Sequence, residues 1–441
     1  MISLKNRVYI RDLFEHGIVG NEYVIAGWVD TVRVHGKLVF IVVRDRSGRI
    51  QVVAKKNLSE EAWRTAKTLT PESVIAVRGV LVESKAALGG REIQAREIEV
   101  YSKAEPLPID IHDHAKTVLA KRLDWRFLDL RNPRNQTIFL VEAEMAKAAR
   151  EWFISNSFVE IFTSKIVGAA TEGGAEVFSI VYFDKPAFLA QSPQLYKQMG
   201  VIAGFERVYE IGPAFRAEPH HTTRHLTEYT SVDLEMGFID SYEDVMDAVE
   251  NVVRSMVEHG ISAYRERVEE YFPNAIHSLP KKIPRITIRE AYRLLQSAGV
   301  HVEWGEDLSS EAERKLGEIV EKEYGSPIVF VTEYPWNARP FYTMKKPEEP
   351  DWTLSFDLLF RGLEIATGGQ REHRYDVLRR QIEEKGLNPR NFEWYLNMFR
   401  YGAPPHGGAG IGLERVVMQA LGLGNIREAR LLPRDPERLT P

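Results

Sequence analysis

Residues 205–236 read FERVYEIGPAFRAEPHHTTRHLTEYTSVDLEM. Val208 to Phe215 alternates and ends apolar as a strand does, and Thr227 to Met236 does the same, so the stretch predicts a hairpin. Its loop is crowded, with Arg216, Glu218, His220, His221, Arg224 and His225 inside ten positions. Taken alone, such a loop is a solvated, charged turn. Held rigidly over one surface it becomes a candidate phosphate clamp, because each guanidinium can fork two donors onto two oxygens.

The flanking segments add chemistry. Upstream, Ala190 to Gln198 reads AQSPQLYKQ. Pro193 suits a helix start, where its missing N–H costs nothing, and Lys197 falls one turn further in. Thr171 to Glu176 holds Gly173 and Gly174 among charges and reads as a mobile loop, with Glu172 able to meet an ammonium group. Downstream, a strand is expected over Arg361 to Ile365, with Glu364 pointing inward among apolar neighbours. That is a poor place for charge unless a cation compensates. Magnesium supplied with a nucleotide is such a cation, taking carboxylate, hydroxyl, phosphate and water oxygens. Gly407 to Arg415 reads as a glycine-rich turn leading into an apolar helix, Val416 to Leu421. Its spacing is wrong for a dinucleotide fingerprint, and the sequence has no Walker A motif. Residues 241–350 hold amphipathic helices, among them Tyr242 to Arg267 and Ser309 to Tyr324, in which the sequence shows no chemistry.

At 441 residues the chain predicts two or three domains. No apolar run approaches the roughly 20 residues needed to span a bilayer, and the start MISLKNRVYIRDL has no signal-peptide core. The absence of cysteine excludes disulfides and cysteine-bound zinc, and a cytoplasmic location is the expectation. The first 105 residues carry 17 Lys and Arg against 13 Asp and Glu, the remainder 41 against 50. A basic front end on an acidic body is the direction expected if the front end touches RNA. Residues 20–101 support this with five β-rich segments, Tyr23–Val29, Leu38–Arg44, Ile50–Ala54, Val74–Val82 and Glu92–Tyr101, and one helix, Ser59–Leu69, between the third and fourth. This is the plan of an OB-fold barrel, whose face stacks bases on aromatics. Phe40 offers sequence-blind stacking and Gln51 can donate to and accept from a base edge.

The motifs Phe215-Arg-Ala-Glu218 and Arg224-His-Leu-Thr-Glu-Tyr229 resemble the second signature motif of class II aminoacyl-tRNA synthetases. Ser231 to Met236 is similar to the aspartyl enzymes of archaeal and eukaryotic type. Gly27-Trp-Val29, Arg33, Phe40 to Arg44 and Gln51 resemble the anticodon barrel of that subclass. The helix from Gln136 to Asn156 with the strand Phe158 to Thr163 resembles motif 1, the dimer-forming element, although Ser164 stands where the family has proline. Gly407 to Arg415 resembles motif 3. The resemblance implies an α+β chain with three parts. These are an OB-fold anticodon-binding domain over 1–103, a hinge over 104–131 in which Arg122 to Arg131 opens the large domain, and an antiparallel-sheet class II catalytic domain over 132–441. A helical extension occupies about 241–350.

The same resemblance implies the site. Aspartate would be held by Glu172, Gln194, Leu195, Tyr196, Lys197, Arg216, Asp233, Thr367 and Arg371, with Lys197 and Arg371 on its side-chain carboxylate. ATP would be held by Arg216, Ala217, Glu218, Arg224, His225, Leu226, Tyr229, Glu364, Gly412, Leu413, Glu414 and Arg415. Within that set Arg216 takes the α-phosphate, Arg415 the γ-phosphate, and Tyr229 lies under adenine. Arg216, Glu364 and Arg415 carry catalysis. Glu364 and Thr367 would hold Mg2+, with Asp357 a third candidate. Arg33, Phe40 and Gln51 would read the anticodon. The partners implied are tRNA-Asp, ATP, L-aspartate and a second copy of the chain. Discriminating relatives carry tryptophan at the position of Asp30 and lysine near Ala87, so this sequence leans towards accepting tRNA-Asn as well. The rivals are an asparaginyl enzyme, against which Lys197, Asp233 and His373 speak, a non-catalytic RNA-binding paralogue, and an amide-forming paralogue without the barrel.

Overall fold

In β1 (Glu22–His35), β2 (Leu38–Arg44) and β3 (Arg49–Lys55) every second side chain is apolar, which buries one face and leaves the other outside. Val39, Ile41, Val43, Ile50 and Val52 are fully buried in this way. Helix α1 (Glu60–Lys67) follows, its N-terminus capped by the Ser59 hydroxyl, which accepts from the Ala62 amide. With β4 (Val74–Glu83) and β5 (Arg91–Ser102) the strands close into a barrel of order β1-β2-β3-β5-β4, and Ala62 and Ala66 of α1 join its core. A bulge at Asp30 turns its carboxylate inward, where Arg44 donates to it at 2.9 Å and forks onto Glu72 at 3.0 and 2.9 Å.

The computed structural model describes residues 1–168, 176–219 and 222–440. They form two compact units, Met1–Asp110 and Ile111–Pro441. The expected hinge is therefore shorter than 104–131. Arg122, Arg126 and Asp129 are buried in the second unit, and buried guanidinium groups need acceptors. Arg126 finds Asp129 at 2.5 Å and the carbonyls of Glu428, Arg430 and Leu431 at 3.0 to 3.1 Å.

The second unit is built on an eight-stranded, largely antiparallel sheet. Its strands are β6 (Val159–Glu160), β7 (Arg207–Phe215), β8 (Glu228–Gly237), β9 (Arg285–Thr287), β10 (Ile328–Thr332), β11 (Ser355–Phe360), β12 (Leu363–Arg371) and β13 (His406–Gly412). They lie in the order β9-β10-β11-β12-β13-β8-β7-β6. Helices α2 (Pro133–Ser155), α4 (Tyr242–Ala263) and α6 (Leu413–Leu421) share one core with the sheet, while α3 (Gln194–Gly200) and α5 (Ser310–Tyr324) lie outside that core. Val141, Met145, Val249, Val253, Val416 and Val417 pack there with Val232 and Leu234 of β8. The alternate β8 side chains, Ser231, Asp233 and Glu235, are therefore on the opposite face. The expected motif 1 strand pairs over two residues, Val159 and Glu160, and beyond them the Glu210 carboxylate accepts from the Thr163 amide and hydroxyl at 3.0 and 2.7 Å.

Two other expectations need correction. The glycines from Gly407 to Gly412 form a strand rather than a turn, paired between β8 and β12. A Cβ on Gly408 would lie 2.1 Å from a Glu235 oxygen, so the missing side chain admits the acid. The strand expected from Arg361 begins at Leu363. Arg361 and Gly362, with φ of 48° and 68°, make the turn before it. Among the described residues no helix is long and apolar enough to cross a membrane.

Candidate active site

The polar face of the sheet lines a cavity of about 350 Å³. Its inner wall is an ion network. Lys197, from α3, is 1% exposed and donates to Asp233 Oδ1 at 2.8 Å and to the Ala409 carbonyl at 3.0 Å. Arg371, at the end of β12, donates to Glu235 Oε1 at 3.0 Å, to Gln194 Oε1 at 3.1 Å and to the Gly408 carbonyl at 2.8 Å. Glu235 is wholly buried and lies 3.5 Å from Lys197 as well. Burial pushes its carboxyl up, but Arg371 and then Lys197 outweigh that, and its pKa falls below the usual carboxylate value. Asp233 Oδ2 is buried without a hydrogen-bond partner among the described residues.

Towards the mouth the charges are less enclosed. Arg216, Glu218, Arg224, His225, Tyr229, Glu364 and Arg415 line it together. Arg216 lies over the Tyr229 ring at 5.8 Å. Arg415 donates to the Glu364 carbonyl at 2.7 Å and stands 3.6 Å from its carboxylate, which is a third exposed rather than inward among apolar groups. Burial, followed by the charge of Arg415, lowers the His225 pKa to about 4, so its imidazole is neutral at physiological pH. Glu364 and Thr367 are three residues apart, a spacing that on a regular strand would put them on opposite faces. A bulge intervenes, since Ala366 pairs with Leu358 but Glu364 with Leu359, and both side chains reach the cavity.

Some expected residues are elsewhere. Leu195 packs in an apolar cluster with Phe341 and Tyr395, and Tyr196 stacks on Trp394 at 5.8 Å. On α3 the residues three apart, Gln194 and Lys197, share the cavity face, and the two between are rotated off it. Leu413 is in the core and Ala217 is half-buried, its amide donating to the Glu176 carbonyl. Glu414 lines the cavity, but its carboxylate is committed to the Thr230 amide at 3.0 Å and to Arg430 at 2.7 Å. Leu226 and Gly412 are at the lining. Glu172, Gly173, Gly174, His220 and His221 lie outside the described residues.

The sequence reading missed three groups. Glu235 was legible as the second acid of an alternating pair with Asp233. Arg339, from a stretch read as having no chemistry, is buried over the Tyr334 ring at 3.8 Å. It donates to Asp357 Oδ2 at 2.7 Å and to Thr367 Oγ1 at 3.0 Å. Burial raises the Asp357 pKa, with Arg339 opposing and Glu364 adding to the rise. Glu313, from α5 of the same stretch, meets Arg224.

A model of class II tRNA synthetases of the D, K and N type matches residues 119–436, and one of OB-fold nucleic-acid-binding domains matches 23–101. The chain belongs to the class II aminoacyl-tRNA synthetases. It is 53% identical to an aspartate–tRNA(Asp/Asn) ligase of Aeropyrum pernix over 99% of this chain and all of that one. To an aspartate–tRNA(Asp) ligase of Pyrococcus abyssi it is 46% identical, over 96% of this chain and 97% of that one. The crystal structure of asparaginyl-tRNA synthetase from Pyrococcus horikoshii with asparaginyl-adenylate superposes with a TM-score of 0.93 at 37% identity, covering both chains fully.

In the barrel of this class II synthetase, Arg33 pairs with Phe40, and Val42 with Gln51. Because Val39, Ile41 and Val43 fill the core, Arg33, Phe40 and Gln51 share the outer face. Phe40 is thus no core residue. Gln51 already donates to Glu92 at 2.9 Å, which leaves its oxygen and a second N–H to offer.

Proposed function

We propose that the chain joins L-aspartate to ATP as an adenylate and passes it to the 3′ end of tRNA-Asp, with tRNA-Asn as a second acceptor. The observation that carries the choice of amino acid is the buried pair Lys197 and Arg371, fixed by Asp233, Glu235 and backbone carbonyls. Both side chains are donors only, so a carboxylate, which only accepts, complements them. An asparagine amide would turn N–H against N–H, and unmatched buried donors are costly. The unpartnered Asp233 Oδ2 suits the substrate ammonium. The A. pernix relative supports tRNA-Asn as a second acceptor.

In the first step an oxygen of the aspartate α-carboxylate attacks the α-phosphorus, and the bond to pyrophosphate breaks. Arg216 holds the α-phosphate and the attacking carboxylate, Arg415 the terminal phosphate, and His225, neutral, donates without adding charge. Position and charge supply the catalysis, since no protein nucleophile is needed. In the second step the 3′ hydroxyl of the terminal adenosine attacks the adenylate carbonyl and AMP leaves. Glu364 and Thr367 are hard oxygen donors suited to magnesium, and beside them Asp357 Oδ1 is buried without a partner among the described residues. No cluster of three His, Asp or Glu that could hold a metal occurs among the described residues, so phosphate and water oxygens would complete the ion's shell. When bound, magnesium neutralises charge on the phosphates.

Association of two copies through motif 1 is supported by exposed Phe162, Phe127 and Ile154, at 84%, 62% and 66%. A cytoplasmic location accords with a tRNA substrate. The deciding experiment is aminoacylation with radiolabelled aspartate on tRNA-Asp and tRNA-Asn transcripts, with asparagine as control. Charging of both RNAs with aspartate alone is expected. Charging with asparagine would overturn the choice of amino acid, and charging of tRNA-Asp only would remove the second acceptor.

A further inference from the structure

Helix α5 belongs to the inserted segment, yet its first turn reaches the mouth of the cavity. There the Glu313 carboxylate meets Nη2 of Arg224, and the Ser310 carbonyl accepts from Nη1 at 3.3 Å. Glu313 is 12% exposed and Arg224 19%, so the contact is poorly screened by solvent. Glu313 lies behind Arg224, which itself lines the cavity. The Nε of Arg224 is buried without a partner among the described residues, so α5 holds one edge of the guanidinium and not the rest.

A second feature ties the same helix to the opposite wall. Gly317, one turn beyond Glu313, packs on Gly362 in the turn before Glu364. A Cβ there would come within 2.5 Å of the Gly362 nitrogen and 2.7 Å of its Cα. The helix is therefore keyed both to the loop of the β7–β8 hairpin and to the start of β12.

We propose that Glu313 is a positioning residue for ATP: with α5 as a strut, it fixes the Arg224 guanidinium at the cavity wall so that its remaining donors meet the triphosphate. The proposal rests on the ATP reading above and assigns the inserted segment a part in nucleotide binding. A rival role is separable by sign. If Glu313 merely neutralised Arg224, removing its charge would tighten ATP.

The test is aspartate-dependent ATP–pyrophosphate exchange together with direct binding of MgATP by calorimetry. Glu313→Gln is expected to raise the KM and Kd for ATP about 10-fold, the scale of one charge-assisted hydrogen bond. The KM for aspartate should stay unchanged and kcat within about threefold. Glu313→Asp should recover part of the loss. In an Arg224→Ala background, Glu313→Gln should add nothing, because the two act as one unit. Gly317→Ala should weaken ATP in the same direction by displacing α5. An ATP affinity unchanged or tightened by Glu313→Gln, or an additive loss in the Arg224→Ala background, overturns the proposal. Wild-type enzyme that binds MgATP but shows no aspartate-dependent exchange would refute the choice of amino acid instead, and the MgATP affinities would still decide the role of Glu313.

Discussion

The inner and outer ends of the cavity are built on opposite plans. At the inner end, Lys197, Asp233, Glu235 and Arg371 are each at most 5% exposed and pair with one another before any substrate arrives, with Asp233 Oδ2 left over among the described residues. At the outer end, Arg216 is exposed and Arg415 and Glu364 are half-buried. The proposed ligands would account for the difference. Telling a carboxylate from an amide of nearly the same shape needs fixed donors in a dry site, whereas a triphosphate carries enough charge to draw arginines from a solvated rim.

The contrast breaks most readily at Arg371. Replacing it by leucine strands Glu235 in the interior, and removing one partner of a buried pair costs about 3–5 kcal/mol. A lowered unfolding midpoint in denaturant and loss of exchange activity are both expected. An unchanged midpoint would show that the inner network is no structural unit. Arg216→Ala sharpens the comparison from the other end. Exchange should fall by on the order of 1,000-fold while stability changes by less than about 0.5 kcal/mol, since the group sits at a rim. Lys197→Leu should raise the KM for aspartate on the order of 10- to 100-fold with little effect on ATP. Unchanged aspartate saturation would count against the pair as the selector.

The smallest effect is at His225. Its folded pKa of about 4 lies below the ordinary histidine value near 6.5. The unfolded chain therefore binds more protons between those values. The stabilising contribution is complete above about pH 6.5 and is lost as pH falls towards 4. The His225 ring resonance in NMR spectra should show no titration between pH 5.5 and 8, and a midpoint near 6.5 would remove the neutral donor from the mechanism.

Where periodicity and fixed spacing carry information, the sequence could be read directly. Barrel strands, their helix, the β7–β8 hairpin and the helical placing of Lys197 all follow from local alternation or a 3.6-residue turn. Glu235 could have been found the same way. Leu195 and Tyr196 pack away from the cavity because neighbours on a helix need not share a face.

By itself the sequence determined the barrel, the β7–β8 hairpin and the helix that carries Lys197, because strand and helix periods are written in adjacent residues. The resemblance of its motifs supplied the family and the pairing of Lys197 with Arg371. Tertiary structure alone decided which lone charges come together. The bulge that swings Glu364 and Thr367 to one face, the glycine strand that admits Glu235, and the arrival of Arg339 and Glu313 from a remote segment depend on strand pairing and packing between residues far apart in the chain. No local pattern encodes those encounters, since each is fixed only when the sheet assembles.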